Sequence, residues 1–446
     1  MANTLDPGDI RVGQLFDGVD NDEPLQSATL TFQPGLGATV LVPYVTGETE
    51  FRTADDWFRN QAPPTTLLFV DNKGAVLLSG VRWAGHSGAQ FLTGKLRANA
   101  TVLGRPRRIK EDYRVREMSS AIDGLAEFAG FSPVQTNLDA FPADPLVIRL
   151  SDEEQVRWRS NGFSYSIRSR TPWSAIDGQE FTVRSAPQVV TSSSRLANVD
   201  AHLTAQWPIR ALLSMVMGER IAWRSHHIRD DQFPTWMAAG PPRAAGPVEV
   251  RLRRTLRDQA SEAVDHADLA LPWLRLTQLG AAGMRRWTRL YSDPLLRRGI
   301  EPIVEVINGA SKFLEPQLMM TAIALDYIDY YRDRRRRTLA QRITACMVAA
   351  DLEWPEVGTR VGIGKAIAKL NNDLKHPDRE TQPEAAVLHC LTDLAILVAR
   401  AQLIQLLEMP RSAREEFRRS RAANHVKQML TANGIRVQED GRASSS

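Results

Sequence analysis

The sequence predicts an α+β protein in which a β-rich, sandwich-like region at 9–247 precedes an all-α bundle at 248–432. Short apolar or alternating runs, separated by Gly and Pro turns, occupy residues 9–200 and are typical of strands. After residue 248, apolar residues recur with a period near 3.6, which is typical of helices that pack on a core.

The strands are predicted in chain order from apolar runs. Residues 65–70 and 75–81 flank a turn sequence at 71–74, Asp-Asn-Lys-Gly, which is a hairpin signal. Further strands are predicted at 28–45, 91–103, 146–150, 163–168 and 180–191. One inserted helix is predicted at 119–129. Many short strands with turns between them favour a sandwich or an open barrel.

Helices are predicted in the second half because several segments carry helical periodicity between prolines, which disfavour helix interiors. They lie near 249–279, 281–291, 295–331, 336–350, 359–376, 384–408 and 411–432. Shorter helices are predicted at 203–217 and 232–237. The segment 238–247, rich in Ala, Gly and Pro, is predicted as a linker, and 433–446 as a disordered tail.

Composition excludes several classes of protein. Only 2 of 446 residues are Cys, which excludes a disulfide scaffold and indicates a reducing compartment. The first 30 residues lack the basic and apolar segments of a secretory signal. The longest apolar segment, 385–407, contains Asp393 and Arg400, so no membrane span is expected. We therefore expect a soluble, cytoplasmic protein.

The distribution of charge is more informative than the net charge of +4. Residues 1–250 contain 25 basic and 28 acidic side chains, whereas residues 251–446 contain 31 and 24. The basic excess therefore lies in the C-terminal half, where a polyanionic partner would be bound.

The segment 358–376 carries the most informative pattern. One face of its predicted helix is apolar, with residues at i, i+4, i+7 and i+11: Ile363, Ile367, Leu370 and Leu374. A polar stripe has the same spacing, shifted by two residues, or about 200° around the helix. Its members are Lys365, Lys369, Asn372 and His376, and we call them the α9 stripe, with α9 denoting the helix predicted at 359–376. The helix should turn its apolar face to a core and this stripe away from it.

The α9 stripe ends in a histidine at the C-terminus of the helix, because Pro377 disfavours helical geometry for His376. Histidine titrates closest to neutral pH, and two ammonium groups and an amide on its own face suit acid–base chemistry on a phosphodiester. The cations would stabilise charge on the phosphoryl oxygens. The alternative interpretation is a solvated polar face that ends in a surface histidine.

Residues 369–376, Lys-Leu-Asn-Asn-Asp-Leu-Lys-His, resemble the core motif of HEPN domains, which are all-α bundles and in many cases metal-independent endoribonucleases. The segments 285–316 and 318–331 are similar to the helices that precede this motif in ApeA-like proteins, an abortive-infection subgroup directed against phage. That subgroup joins a long β-rich N-terminal region to a C-terminal HEPN domain. The resemblance implies that the N-terminal region senses a phage-derived trigger or restrains the nuclease.

The family pattern has Arg, a polar residue, a few variable residues and then His. Asn372 and His376 occupy the polar and His positions, whereas Asn371 stands where the family has Arg. Asn371 is neutral and cannot make the bidentate phosphate contact of a guanidinium. Two hypotheses follow. Either Lys369 or Lys375 supplies the charge in a nuclease, or the domain is a catalytically silent module for RNA binding, protein binding or dimerisation.

The resemblance also implies the partners. RNA, with tRNA as one candidate, would be bound without a metal or cofactor, and two copies would form a homodimer through the helical domain. The catalytic candidates are His376, Asn372, Lys369 and Asn371. The candidate RNA-binding residues are Lys365, Lys375, Arg334, Arg335, Arg336 and Arg337. They are basic, and nucleic-acid affinity is largely electrostatic. The arginine cluster could equally be a polar loop between two helices.

Overall fold

All structural statements refer to the residues that the computed structural model describes. These are 3–17, 25–89, 91–104, 113–130, 134–136, 147–150, 154–170, 173–176, 180–183, 186–229, 247–259, 261–262, 271–376 and 383–445. The predicted helix at 232–237, nearly all of the predicted linker at 238–247, and Pro377 lie outside these ranges.

The strands lie mainly in the first 252 residues. They are β1 (Ile10–Phe16), β2 (Gln26–Gln33), β3 (Gly37–Tyr44), β4 (Thr66–Asp71), β5 (Gly74–Ser79), β6 (Arg82–Gly88), β7 (Leu92–Arg97), β8 (Ala100–Leu103), β9 (Arg114–Ile122), β10 (Val134–Thr136), β11 (Ile148–Leu150), β12 (Glu154–Ser160), β13 (Phe163–Arg170), β14 (Trp173–Ile176), β15 (Glu180–Val183), β16 (Ala186–Asn198), β17 (Trp223–Arg229), β18 (Val248–Leu252), β19 (Arg436–Val437) and β20 (Ala443–Ser444).

The helices lie mainly after residue 275. They are α1 (Arg52–Arg59), α2 (Leu125–Ala129), α3 (Val199–Met217), α4 (Leu256–Gln259), α5 (Leu276–Tyr291), α6 (Pro294–Ile307), α7 (Leu314–Arg332), α8 (Leu339–Ala350), α9 (Arg360–Lys375), α10 (Ala385–Leu406), α11 (Arg411–Arg418) and α12 (Arg421–Ala432). The predicted order, a β-rich region followed by a helical bundle, is therefore confirmed.

Fourteen strands form one antiparallel sheet in the order β12-β13-β16-β9-β17-β18-β8-β5-β4-β1-β2-β3-β7-β6. Strand β18 joins the two parts of this sheet, because it pairs with β17 on one side and with β8 on the other. The part from β8 to β6 encloses its own core, which α1 also contacts. Gly94 allows that contact, because a Cβ there would lie 2.0 Å from the Phe58 ring.

The other part of the sheet packs against α3 and shares a core with the helical bundle. Val115 of β9, Leu212 of α3, Trp287 of α5 and Leu325 of α7 belong to one continuous cluster of buried side chains. The indole Nε1 of Trp287 donates to the Pro208 carbonyl of α3 at 2.6 Å. The sheet and the bundle are therefore packed together rather than tethered by a linker.

Helix α10 is the one helix of the described residues that is long and apolar enough to cross a membrane. In its most apolar window, with a mean hydropathy of 1.6, 83% of the residues are buried inside the protein. A core helix of a bundle has this composition because neighbouring helices surround it.

Some predicted elements differ from the observed ones. The predicted helix at 249–279 is wrong at its start, because strand β18 and the short helix α4 precede α5. The predicted helix at 119–129 is also wrong at its start, because residues up to Ile122 belong to strand β9, which pairs with β17. The predicted helix at 295–331 is two helices, α6 and α7, which pack against each other.

The segment 433–446, predicted to be disordered, is ordered up to residue 445. Strands β19 and β20 pair with each other, and Ile435 is fully buried. We call residues 435–445 the C-terminal hairpin. Its order depends on contact with α9, because Val437 donates its backbone N–H to the Val357 carbonyl at 2.7 Å, just before that helix.

Candidate functional site

Helix α9 forms as its sequence predicts. The Thr359 side chain caps its N-terminus by accepting a hydrogen bond from the Gly362 N–H at 3.1 Å. The helix ends at Lys375, and His376 has extended backbone angles, with φ −120° and ψ 92°. The histidine therefore follows directly on the last helical turn.

The two faces of α9 differ in burial. Ile363, Ile367 and Leu370 are buried in the bundle core. All four members of the α9 stripe are exposed, and Lys375 is exposed beside them. The stripe thus presents two ammonium groups, one amide and one imidazole on a single solvent-facing surface.

Asn371 lies on the other side of the helix. It is only 1% exposed, and its Oδ1 is buried without a hydrogen-bond partner among the described residues. The sequence placed Asn371 with the catalytic candidates because it occupies the family's Arg position. Its burial separates it from the α9 stripe, so this side chain is not positioned to contact RNA.

Helices α7 and α8 run antiparallel. Near the middle of the pair, Cys346 of α8 approaches the Leu325 carbonyl of α7. One turn further, Arg342 of α8 pairs with Asp329 of α7 at 3.3 Å. The C-terminus of α7 and the N-terminus of α8 therefore lie at the same end of the bundle.

Helices α8 and α9 also run antiparallel. The Thr344 hydroxyl approaches the Arg360 carbonyl at the start of α9, and a Cβ on Gly364 would lie 2.8 Å from the Ala340 carbonyl. The N-terminal end of α8 is thus next to Gly364, in the N-terminal half of α9. The α7–α8 connection therefore lies on the side of the bundle towards which the C-terminus of α9 points, while His376 extends beyond the start of α8.

That connection contains the basic cluster at 332–337, which we call the arginine loop. Arg337 contacts both carboxylate oxygens of Asp329 at 3.0 Å and pairs with Asp333 at 2.6 Å. The backbone N–H of Arg335 and the nearby guanidinium groups lower the pKa of Asp333. Part of the positive charge in this loop is therefore compensated by acidic side chains within the fold.

The remaining arginines of the loop point towards solvent. Arg334 stacks on the Tyr330 ring at 4.9 Å, and the Arg335 side chain is 81% exposed. Arg336 is exposed and has no ion pair within the described part of the chain. Of the four predicted RNA-binding arginines, three are thus available to a ligand, whereas Arg337 holds the loop in place.

The C-terminal hairpin covers the first turns of the α9 stripe. Lys365 donates to the Glu439 carbonyl at 2.9 Å, and Gly441 lies against the Lys365 backbone and Cβ. Gly362 allows close approach of the Gln438 carbonyl, because a Cβ there would lie 2.6 Å from that oxygen. The hairpin therefore engages Lys365, while Lys369, Asn372 and His376 stay exposed.

The histidines of the sheet differ from His376. His226 is fully buried between Ser120 and Thr255, at 2.7 Å and 2.9 Å from its two ring nitrogens. Burial, helped by the charges of His227 and Arg251, lowers the pKa of His226 to about 3. His226 is therefore a neutral histidine of the core. The described residues contain no group of three or more His, Cys, Asp and Glu side chains that could hold a metal ion.

Sequence reasoning missed a second basic region. Three of its arginines, Arg253, Arg254 and Arg257, are close in the sequence, but they fall inside the helix predicted at 249–279 and do not stand out there as a binding site. Their convergence with Arg82 depends on the pairing of β18 with β8, which no local pattern encodes.

The fold and the site together define an α+β protein whose large antiparallel sheet shares a core with a helical bundle, and whose bundle presents a basic, histidine-bearing helix end. Residues 16–232 match the family model described as ApeA N-terminal domain 1. Residues 16–232, just under half of the chain, are therefore an ApeA-like domain, and this match supports an ApeA-like anti-phage protein. The match ends before the bundle. Searches among curated proteins and among solved structures returned no significant match.

Proposed function

We propose that the helical bundle is a HEPN-type, metal-independent endoribonuclease and that RNA cleavage is how this protein acts against phage. The observation that carries the proposal is the exposure of Lys369, Asn372 and His376 together at the C-terminal end of one helix. An imidazole flanked by cations is the minimum that general acid–base cleavage of a phosphodiester requires.

The reaction needs no group other than these side chains and the RNA. The ribose 2′-OH attacks its neighbouring phosphorus, so a 2′-O–P bond forms and the bond to the 5′-oxygen breaks. His376 accepts the 2′-OH proton or donates a proton to the leaving oxygen. Lys369 and Lys375 stabilise the phosphoryl oxygens as point charges, and Asn372 orients the phosphate or the imidazole through its amide.

A second copy of the chain completes this site in the proposal. One proton is removed and another is delivered during cleavage, whereas one chain presents a single histidine, His376, at the end of α9. A twofold dimer through the helical domain would bring two His376 imidazoles and two sets of lysines together. The exposed end of α9 is the part of the bundle that such a dimer would join.

The experiment is cleavage of total RNA and tRNA by the full-length chain, with and without phage lysate as a source of trigger. His376→Ala should lower the cleavage rate by about 10²- to 10⁴-fold, the usual contribution of a general acid or base. His389→Ala is the matched control, because His389 is also exposed, lies on α10 and is 54% accessible. Intact RNA in every condition, or equal rates for both variants, would contradict the proposal.

A second candidate function is a catalytically silent RNA-binding or dimerisation module, coupled to a ligand-sensing sheet. Position 371 favours this candidate. An asparagine stands where the family has arginine, and its side chain is buried, so the site lacks the family's guanidinium. This candidate expects RNA to be bound in a salt-dependent way and recovered intact. Binding that weakens in a triple Arg334, Arg335 and Arg336→Ala variant, without cleavage products from the wild type, would favour it over the nuclease.

A further inference from the structure

Four arginines converge on a cleft in the sheet region, away from α9. Arg82 begins β6, Arg253 and Arg254 follow β18, and Arg257 lies in α4. The cleft has a volume of about 580 Å³, and Gly35, Asn99 and Asp200 complete its lining. We call these four residues the arginine cleft.

The positive charge of this cleft is largely uncompensated. Within the described residues, none of the four guanidinium groups has an ion pair, and Asp200 is the one carboxylate among the lining residues. Elsewhere arginines near the sheet are paired, as in Arg11–Asp71 and Arg224–Asp123, both at 2.5 Å. Like charges held together without counter-charges attract an anion from solution.

The backbone that carries these arginines is fixed by burial. Thr255 and Leu256 are buried between them, and the Thr255 hydroxyl donates to the Leu252 carbonyl at 3.1 Å. The Arg253 N–H donates to the Asn99 carbonyl at 2.9 Å. A fixed backbone that carries guanidinium groups without ion pairs suits planar, bidentate phosphate recognition, because little order has to be gained on binding.

The cleft continues into a second cavity of about 520 Å³, because Asp200 and Arg254 line both. Half-buried Phe163 and Trp207 belong to the walls of the second cavity. The Arg254 guanidinium stacks on the Trp207 ring at 5.1 Å. A basic segment adjoining an aromatic one matches a ligand with regularly placed phosphates and flat, stackable groups.

We propose that the arginine cleft binds the backbone of a single-stranded nucleic acid, with a base in the adjoining aromatic cavity. This site lies in the sheet region and is separate from the proposed nuclease site on α9. It gives the N-terminal half a ligand of its own.

The experiment measures binding of a fluorescent single-stranded DNA 12-mer to the full-length chain by anisotropy. DNA lacks the 2′-OH, so the proposed nuclease cannot cleave the probe, and the two proposals fail independently. Arg253→Ala with Arg257→Ala should weaken binding at least tenfold. It should also reduce the slope of log affinity against log salt by about 1.4, since each phosphate contact to a single strand contributes roughly 0.7.

The matched control replaces two exposed arginines of the same region that lie outside the cleft, Arg52→Ala with Arg195→Ala. Its affinity and salt slope should stay within twofold of the wild type. Equal weakening by both double variants would overturn the proposal, and so would the absence of binding at low salt. Competition by inorganic phosphate as effective as competition by the oligonucleotide would also overturn it, because it would indicate a simple anion site.

Discussion

The arginine loop and the arginine cleft contain similar numbers of guanidinium groups but differ in how their charge is balanced. In the loop, Arg337 and the neighbouring Arg342 share the buried carboxylate of Asp329. In the cleft, four arginines surround a single carboxylate, Asp200. The loop therefore uses Arg337 to hold helices together, whereas the cleft leaves nearly all of its charge to solvent or a ligand.

The number of arginines in a segment therefore does not measure the positive charge that is available to a binding partner. A guanidinium bound to a buried carboxylate contributes to folding, because removal of either partner leaves the other charge desolvated. An exposed guanidinium without a partner contributes little to folding and can bind a phosphate at small cost. The following predictions test this distinction, starting with the largest effect.

Asp329→Ala should have the largest effect on stability. Asp329 is 2% exposed, and its removal leaves Arg337 and the nearly buried Arg342 without their shared counter-charge. We expect the free energy of unfolding to fall by about 3–5 kcal/mol, measured by denaturant titration. The control is Asp326→Ala, because that carboxylate is 48% exposed and pairs with the same Arg342. It should cost under about 1 kcal/mol. Equal effects would show that burial of the carboxylate does not determine its contribution to stability.

The two lysines of the α9 stripe also differ in whether the fold binds them. Lys365 donates a hydrogen bond to the C-terminal hairpin, whereas Lys369 is exposed. Ile435→Ala should destabilise the hairpin by about 2–4 kcal/mol, because Ile435 is fully buried. Hydrogen exchange at the Val437 amide should then accelerate, while amides in the centre of α9 stay protected. Unchanged exchange at Val437 would mean that Ile435 does not anchor the hairpin.

Acid pH should destabilise the sheet through His226, because over a wide pH range only the unfolded chain can bind a proton at this residue. The unfolded chain binds a proton at His226 below pH 6.5, whereas burial keeps the folded form neutral until about pH 3. The free energy of unfolding should therefore be constant above pH 6.5 and fall by about 1.4 kcal/mol per pH unit below it. His202, whose pKa burial also lowers, adds to the slope. His226→Gln should flatten the dependence between pH 6 and 4, and parallel curves would contradict the assignment.

The smallest effects on stability are expected for arginines without ion pairs. Arg257→Ala in the cleft and Arg336→Ala in the loop should each change the free energy of unfolding by less than about 0.5 kcal/mol. Calorimetry or denaturant titration would detect a larger change. If the free energy of unfolding fell by several kcal/mol in either variant, that guanidinium would contribute to folding, contrary to this prediction.

Much of α9 could be predicted because its information is local. The spacing of Ile363, Ile367 and Leu370 fixes which face is buried, and Pro377 marks the C-terminal end of the helix. The exposure of the α9 stripe follows from the same period. Other features depend on segments distant in sequence: the hairpin on Lys365 joins positions 74 residues apart, and β18 pairs with a strand near residue 101.

The sequence by itself determined the order of a β-rich region and a helical bundle, and the polar face of α9, because hydrophobic periods of two and 3.6 residues are written locally in the chain. The tertiary structure decided which charges are compensated and which are free. It placed Arg337 on Asp329, buried Asn371 and gathered Arg82 with three arginines from beyond residue 250. Charge compensation depends on distances across the fold, and only packing sets those distances.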